Sequence, residues 1–385
     1  MKKFLLYLLA LLPLSTFAQL SAGYYRVQNV ETNRYMSIVD TRAEFKTGAS
    51  YAGYVYADLD AIYMDNDFDG SVVCNPASIC YIEPVSSDFL NLSGQGLDLY
   101  AMAHRYLNYM QIPGGTYWLY AQESGASRYL IDNTSHGTYF HPAVGDDNIT
   151  ANNKKWNILE VTQDDTQCFG VKPEQQVTAD GSYWTTLYAG FPCQPSDAAM
   201  KAYYVSKVDN TFGLAVISAL PNNVITSEVP VLIRCTGATP KANKMTLLNP
   251  NTTGVPSNNL LVGNYYCNDQ QNSSDEKERG HHNVTDYNAS TMRMLGLTTD
   301  GKLAFVKSDI KYLPANKAYL KVSGTAPDVF RVVTEEEYQE IITGINEVAS
   351  PASNGQKVIY DLQGRRITAP SKGLYIVNGK KVVIK

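Results

Sequence analysis

Asp65-Asn66-Asp67-Phe68-Asp69-Gly70 places three carboxylates at alternating positions before a glycine, which is how a calcium-binding loop begins. Asp65, Asp67 and Asp69 are the candidate ligands, and the Ser71 carbonyl falls at the seventh position. Position twelve is Pro76, so the usual bidentate carboxylate is missing and calcium is a candidate cofactor without its anchor. A second cluster, Asp132-Asn133 followed by Tyr139 and His141, has the chemistry of a sugar site: polar groups orient hydroxyls while a ring stacks on the sugar face. His136 and His141 are five apart, which does not stack two metal ligands on one helix turn, and His281-His282 follow a mixed-charge stretch that reads as a solvated loop. There is no GxSxG, P-loop, GxGxxG or HExxH motif, and no Cys/His cluster has zinc spacing. The expectation is a non-catalytic protein; a polysaccharide-active enzyme with an unmarked carboxylate pair is the alternative.

These residues need a scaffold, and the composition supplies one. Of 385 residues 44% are hydrophobic and 18% charged, enough apolar material for a core in two or three domains. The net charge is −5, and losing Lys2 and Lys3 would leave 30 basic against 37 acidic residues, or −7, which argues against a nucleic-acid partner. No internal run reaches the roughly 18 apolar residues a membrane-spanning helix needs.

Lys2-Lys3, the apolar run from Phe4 to Leu14 and the small residues Thr16 and Ala18 read as a signal peptide. Cleavage between Ala18 and Gln19 is expected, giving an exported chain whose place is extracellular or at the cell surface. Six cysteines remain: Cys74, Cys80, Cys168, Cys193, Cys235 and Cys267. Sequential disulfides and free, buried thiols are both compatible with that count.

From Gly23 to Val161 short apolar and aromatic runs alternate with polar turns, the pattern of many short strands. Arg-Tyr followed by a large apolar residue occurs at Arg34-Tyr35-Met36, Arg105-Tyr106-Leu107 and Arg128-Tyr129-Leu130. Tyr35 and Tyr129 are 94 residues apart, twice 47, and the middle copy is out of register. Tyr24-Tyr25-Arg26-Val27-Gln28-Asn29, Asn33-Arg34-Tyr35-Met36-Ser37 and Lys155-Trp156-Asn157-Ile158 together resemble lobes of a ricin-B-like β-trefoil. That resemblance implies a three-lobed β domain over residues 19–161.

Residues 166–333 read as an antiparallel β-sandwich or barrel. Strands are expected at Tyr183 to Ala189, Met200 to Val208, Leu214 to Ala219, Val229 to Cys235, Met292 to Leu297, Leu303 to Val306 and Ala318 to Val322. Asp300-Gly301 predicts a two-residue hairpin turn with both positions at positive φ. Over 334–356, Thr334-Glu335-Glu336-Glu337 predicts a capped short helix and Val348 to Gly355 a small-residue linker. The fold class is therefore mainly β: a trefoil-like domain, a sandwich-like domain and a short β tail over 357–385.

The tail carries Tyr360-Asp361, Gly364-Arg365, Gly373, Tyr375 and the turn Asn378-Gly379. This series is similar to the C-terminal sorting domains of Bacteroidetes secreted proteins, and the resemblance implies type IX secretion and surface attachment through that machinery. The 28 tyrosines, with Trp118, Trp156 and Trp184, fit a module that holds an extracellular glycan or surface polymer. They equally suit half-buried strands, the reading expected for Trp156 and Tyr183. A structural or adhesive surface component contacting other proteins is the other non-catalytic alternative.

Overall fold

The computed structural model describes residues 20–39, 46–47, 55–56, 62–98, 107–123, 126–132, 141–142, 151–254, 256, 258–267, 284–343, 359–361, 364–368, 370–377 and 380–384. The protein is mainly β, and among the described residues the one α-helix is α1 (Glu335–Thr343). Residues 1–18, read from sequence as a signal peptide, and Gln19 after the expected cut lie outside the described residues, as do the turn residues Asn378 and Gly379.

The first unit holds β1 (Gly23–Asn29), β2 (Tyr35–Ile38), β3 (Lys46–Thr47), β4 (Val55–Tyr56), β5 (Ile62–Asp65), β6 (Cys80–Pro84), β7 (Phe89–Gly94), β8 (Leu97–Asp98), β9 (Leu107–Gln111), β10 (Tyr117–Glu123), β11 (Ala126–Ile131), β12 (His141–Pro142) and β13 (Lys155–Glu160). Antiparallel pairing runs from β1 to β6, β7, β9, β10 and β13 and returns to β1. Two hairpins branch from this path in the same way: Tyr35 of β2 lies opposite Gln28 of β1, and Tyr129 of β11 lies opposite Tyr120 of β10. β8 turns back on β7 in the corresponding place, while Arg105 and Tyr106 lie outside the described residues. Alternation along the strands puts Tyr25, Val27, Ile82, Leu90, Leu92, Leu119 and Trp156 into one core. Trp156 is fully buried and its indole N–H donates to the Leu130 carbonyl at 3.0 Å, which satisfies its one polar atom.

The second unit contains β14 (Phe169–Gly170), β15 (Gln175–Gln176), β16 (Tyr183–Leu187), β17 (Cys193–Pro195), β18 (Lys201–Asp209), β19 (Leu214–Ala219), β20 (Val231–Cys235), β21 (Lys244–Leu247), β22 (Leu261–Asn264), β23 (Met292–Leu297), β24 (Leu303–Val306), β25 (Lys317–Lys321) and β26 (Val329–Thr334). Ten of these form one curled sheet in the order β15-β16-β20-β18-β19-β26-β24-β23-β25-β22, and β14-β21-β17 form a second. The large sheet is mixed rather than purely antiparallel, because β19 and β26 run parallel, Leu214 beside Arg331 to Ile217 beside Thr334. Its faces separate by the two-residue period of a strand: Val231 and Ile233 join Phe169 and Met245 on one side, Leu232 joins Phe305 and Phe330 on the other. The curl brings the strand ends together, where Ala318 N–H donates to Thr186 Oγ1 at 3.2 Å and Asn316 Nδ2 to the Tyr188 carbonyl at 3.0 Å.

The Asp300-Gly301 turn differs from the two-residue form. Only Gly301 has positive φ, at 76°, and the loop closes one residue wider, from Thr298 N–H to the Lys302 carbonyl at 2.8 Å. The Thr298 hydroxyl bonds the Asp300 carboxylate and accepts from Lys302 N–H, so Asp300 remains in an ordinary backbone region. A Cβ on Gly301 would fall 1.7 Å from Thr178 Oγ1, which fixes glycine there a second time.

The capping box forms as its sequence requires: Glu337 N–H donates to Thr334 Oγ1 at 3.3 Å, and Thr334 N–H donates to Glu337 Oε2 at 3.2 Å. Tyr338 of α1 then packs on Leu214, Val216 and Val333 and donates its hydroxyl to Asp209 at 2.9 Å. The tail is a four-stranded sheet of β27 (Ile359–Tyr360), β28 (Arg366–Ile367), β29 (Gly373–Val377) and β30 (Lys380–Ile384), in the order β28-β27-β29-β30. Gly364 has φ 80° at its first turn, and Asp361 holds that turn by accepting from the Arg365 backbone at 2.9 Å and side chain at 2.7 Å.

Candidate functional site

The two units meet over a continuous seam, and the first link is Arg26. Its neighbours Tyr25 and Val27 face the core of the first unit, so strand alternation turns Arg26 outward, yet it is fully buried. The guanidinium donates to the carbonyls of Gln167 at 2.8 Å and Cys168 at 3.0 Å and to Ser78 Oγ at 3.1 Å, and it lies 5.2 Å from the Phe68 ring centroid. Burial pulls its pKa down to about 10, because the charge is met by neutral oxygens.

Beside Arg26 sits the acidic turn. Asp65 accepts from Asp67 N–H at 2.9 Å and from the Ser71 hydroxyl; Asp67 accepts from Gly70 N–H at 2.9 Å; Asp69 pairs with Lys241 of the second unit at 2.6 Å. The three carboxylates thus cap the turn and fasten it across the seam. Among the described residues no three His, Cys, Asp or Glu side chains gather as a metal site.

Of the Asp132 cluster, Asp132 itself is arranged for packing. Asp132 is 2% exposed, and its carboxylate takes both a 2.9 Å bond from Arg34 Nε and a second contact from Nη2, with the Thr32 hydroxyl as a further donor. The pair ties the turn after β1 to the end of β11. Asn133 and Tyr139 lie outside the described residues; of His141 the structure gives only its strand, paired with Ile131. The sequence candidates are therefore not shown gathered into one pocket.

What the sequence does not reveal is a cleft of about 270 Å3 along the seam. Its apolar walls are Tyr24, Ile79, Tyr81 and Phe191, and Ser93, Ser227 and Glu228 supply polar groups. Tyr24 meets Tyr81 edge to face at 5.2 Å and Phe191 at 5.8 Å. Burial, with Tyr81 nearby, pushes the Tyr24 phenol well above its ordinary pKa. Tyr188 and Tyr265 stack close by with centroids 4.3 Å apart, both phenols raised chiefly by burial, and Glu228 adds to each shift.

Backbone geometry makes the cleft narrow. Gly190 N–H donates to Gln95 Oε1 at 3.3 Å, and a Cβ on Gly190 would lie 2.8 Å from the Gln95 nitrogen. The Tyr266 hydroxyl donates to the Gln95 carbonyl from the second unit. The described non-glycine residues at positive φ are Asn33, Gln95, Asn222, Asn223, Glu228 and Asn316. Asparagine tolerates that region; of the two that are not asparagine, Glu228 at 63° lines this cleft in the turn closed by Val229 N–H on the Thr226 carbonyl, and Gln95 at 52° forms with Gly96 the two-residue turn between β7 and β8. The Tyr24 hydroxyl and Gln95 Nε2 are buried and have no hydrogen-bond partner among the described residues.

A second cleft of about 530 Å3 lies between the acidic turn and the curled sheet, lined in part by Cys74, Lys172, Glu174 and Lys317. Two of its ionic groups are matched to each other: Glu174 Oε2 accepts from Thr186 N–H, both Thr185 and Thr186 hydroxyls and Lys317, the last at 3.3 Å. Cys74, Cys80, Cys168, Cys193 and Cys235 are free thiols. Cys80, Cys168 and Cys193 are fully buried, which pushes the thiols of Cys80 and Cys193 up to about 12.

No protein-family model matches this chain, and no curated protein matches its sequence. No helix among the described residues is long and apolar enough to cross a membrane.

Proposed function

We propose that this chain is an exported, surface-associated protein that binds an extracellular glycan or related polymer without chemically altering it. The observation that carries this reading is the seam cleft: aromatic walls, hydroxyls, and Glu228 as the one carboxylate among its described lining residues. Glycoside hydrolysis in its common form needs two carboxylates flanking the bond, whereas stacking and hydrogen bonding need only rings and hydroxyls. Export rests on the N-terminal segment, and attachment on the resemblance of the tail to sorting domains. The tail is a separate small sheet with Tyr360, Leu374 and Val382 exposed, the kind of apolar surface a partner in an attachment machinery would cover.

The closed path of six strands with lateral hairpins supports a finer reading of residues 19–161 as a three-lobed trefoil, with lobes beginning at β1, β7 and β10. In that reading residues 166–333 form a second domain whose wall completes the cleft.

The test is retention of the full mature chain on a glycan array and on insoluble polysaccharides. Retention of the folded protein supports the reading. Complete absence of retention, or release of reducing sugar from a bound polymer, contradicts it.

A further inference from the structure

Resting on the glycan-binding reading, we infer that the second cleft is a subsite for an acidic sugar, whose carboxylate pairs with Lys172 beside Cys74. Both units build this cleft: one wall comes from the segment 70–76, the others from 171–174, 186–187 and 315–317. At about 530 Å3 it lies within the roughly 300–1,000 Å3 typical of small-molecule sites, which leaves room for a sugar ring.

The lining selects charge over stacking. No aromatic ring occurs among the described lining residues, so the ring contacts that suit the seam cleft are not on offer here; Val171, Pro173 and Leu187 give a plain apolar wall. The charged lining residues are Lys172, Lys317 and Glu174, two cations to one carboxylate. Glu174 is the partner of Lys317, whose ammonium also donates to Thr185 Oγ1 at 2.9 Å. Lys172 is exposed and makes no hydrogen bond or ion pair among the described residues, so its charge is the one left for an occupant. The carboxylates of the acidic turn are not among the described lining residues, and Asp69 is already paired with Lys241.

Cys74 registers the field in the cleft. Burial pushes its thiol up, and the charges that pull against that shift are Lys317, Lys172 and Arg26. Arg26 adds to the field because its own charge is met by neutral oxygens, those of Gln167, Cys168 and Ser78. A carboxylate in the cleft is drawn by the same cations, whereas a neutral sugar gains nothing from them.

The experiment is calorimetric titration of the full mature chain with methyl glucuronide and methyl galacturonide, their uncharged methyl esters and acetate. Retention on neutral polysaccharides is measured in parallel. Lys172→Gln is the variant; the lysine is exposed and makes no bond to the protein, so folding is retained, and the melting temperature confirms that. Iodoacetamide, an uncharged reagent, reads occupancy through alkylation of Cys74. The proposal expects one of the uronides to bind at least about tenfold more tightly than its ester, and Lys172→Gln to weaken it about tenfold. Bound uronide slows Cys74 alkylation, and at the same concentration it does so less in Lys172→Gln. Equal binding of acid and ester, full affinity in Lys172→Gln, or binding that leaves Cys74 alkylation unchanged overturns the assignment. Acetate binding as tightly as the uronide overturns its sugar part. Retention of neutral polysaccharide without uronide binding overturns the subsite and leaves the glycan-binding reading standing. No binding to any glycoside or polymer by the folded chain overturns both.

Discussion

Gly190 donates its backbone N–H to the side-chain oxygen of Gln95 at 3.3 Å, and this bond joins the two β units at the edge of the cleft. The approach is close enough to exclude a larger residue at 190, since a Cβ would lie 2.8 Å from the Gln95 nitrogen and 3.0 Å from its Cα. Both atoms belong to the backbone and cannot rotate away. Gly190→Ala is expected to lower stability by about 1–3 kcal/mol through overpacking and to weaken ligand retention. Urea unfolding with a parallel array measurement checks both; unchanged stability would mean that the seam yields freely.

Arg26 is expected to be the more costly position. Replacing it by Met leaves the Gln167 and Cys168 carbonyls and Ser78 without their donor in a buried place, a loss of about 3 kcal/mol. Arg26→Lys restores a charge but not the three-way fork, so it recovers only part of the loss. Thermal unfolding of the two variants gives the order directly. Equal stability of wild type and Arg26→Met would show that Arg26 does not hold the seam.

Asp132 distinguishes packing from ligand binding. Its carboxylate is buried against Arg34, so Asp132→Ala removes one partner of a buried ion pair and costs about 3–5 kcal/mol. Ligand affinity at a temperature where the variant stays folded is expected to be unchanged. A stable Asp132→Ala protein with lost retention would restore the third-lobe sugar site.

Thiol chemistry gives a further check. In the native protein a thiol reagent is expected to reach Cys74, which is half-buried, and to miss the buried Cys80, Cys168, Cys193 and Cys235; these five all react after denaturation. Fewer than five after denaturation without reductant would contradict free thiols at these positions. Cys80, Cys193 and Cys235 are each raised from 9.0 to about 12, chiefly by burial. A raised folded pKa means the unfolded thiol ionises first. The stabilisation is therefore complete below pH 9 and lost between pH 9 and 12. The urea midpoint should fall across that interval; a flat profile from pH 9 to 11 would contradict the buried thiols.

How far the sequence reveals this protein depends on whether the signal is local. Leu214–Ala219, Met292–Leu297 and Leu303–Val306 occur at the expected bounds because β-branched and apolar residues lie between turn signals, and the Thr334 capping box is complete within four residues. β26 has no such cue, since its parallel partner β19 lies more than a hundred residues away and no hairpin turn announces it. The Asp132 cluster reads as a sugar site only while Arg34 is out of view, 98 residues earlier. The cleft is harder still: Tyr24, Gly190 and Glu228 share no motif; the Glu228 N–H to Ala189 carbonyl bond sets two of them together within the second unit, and only the packing of that unit on the first places Tyr24 beside them. The Tyr24-Tyr25 doublet was legible, but the alternation that sends Tyr25 inward and Tyr24 toward Phe191 follows from the closed strand path.

Ligand is expected to enter between the units, and hydrogen exchange with mass spectrometry tests this most directly. With a saturating glycan ligand, peptides spanning 90–96, 188–191 and 225–229, each of which contributes lining residues to the cleft, are expected to be protected together. Protection confined to one unit, or centred on 126–142 with these three peptides unchanged, would contradict it.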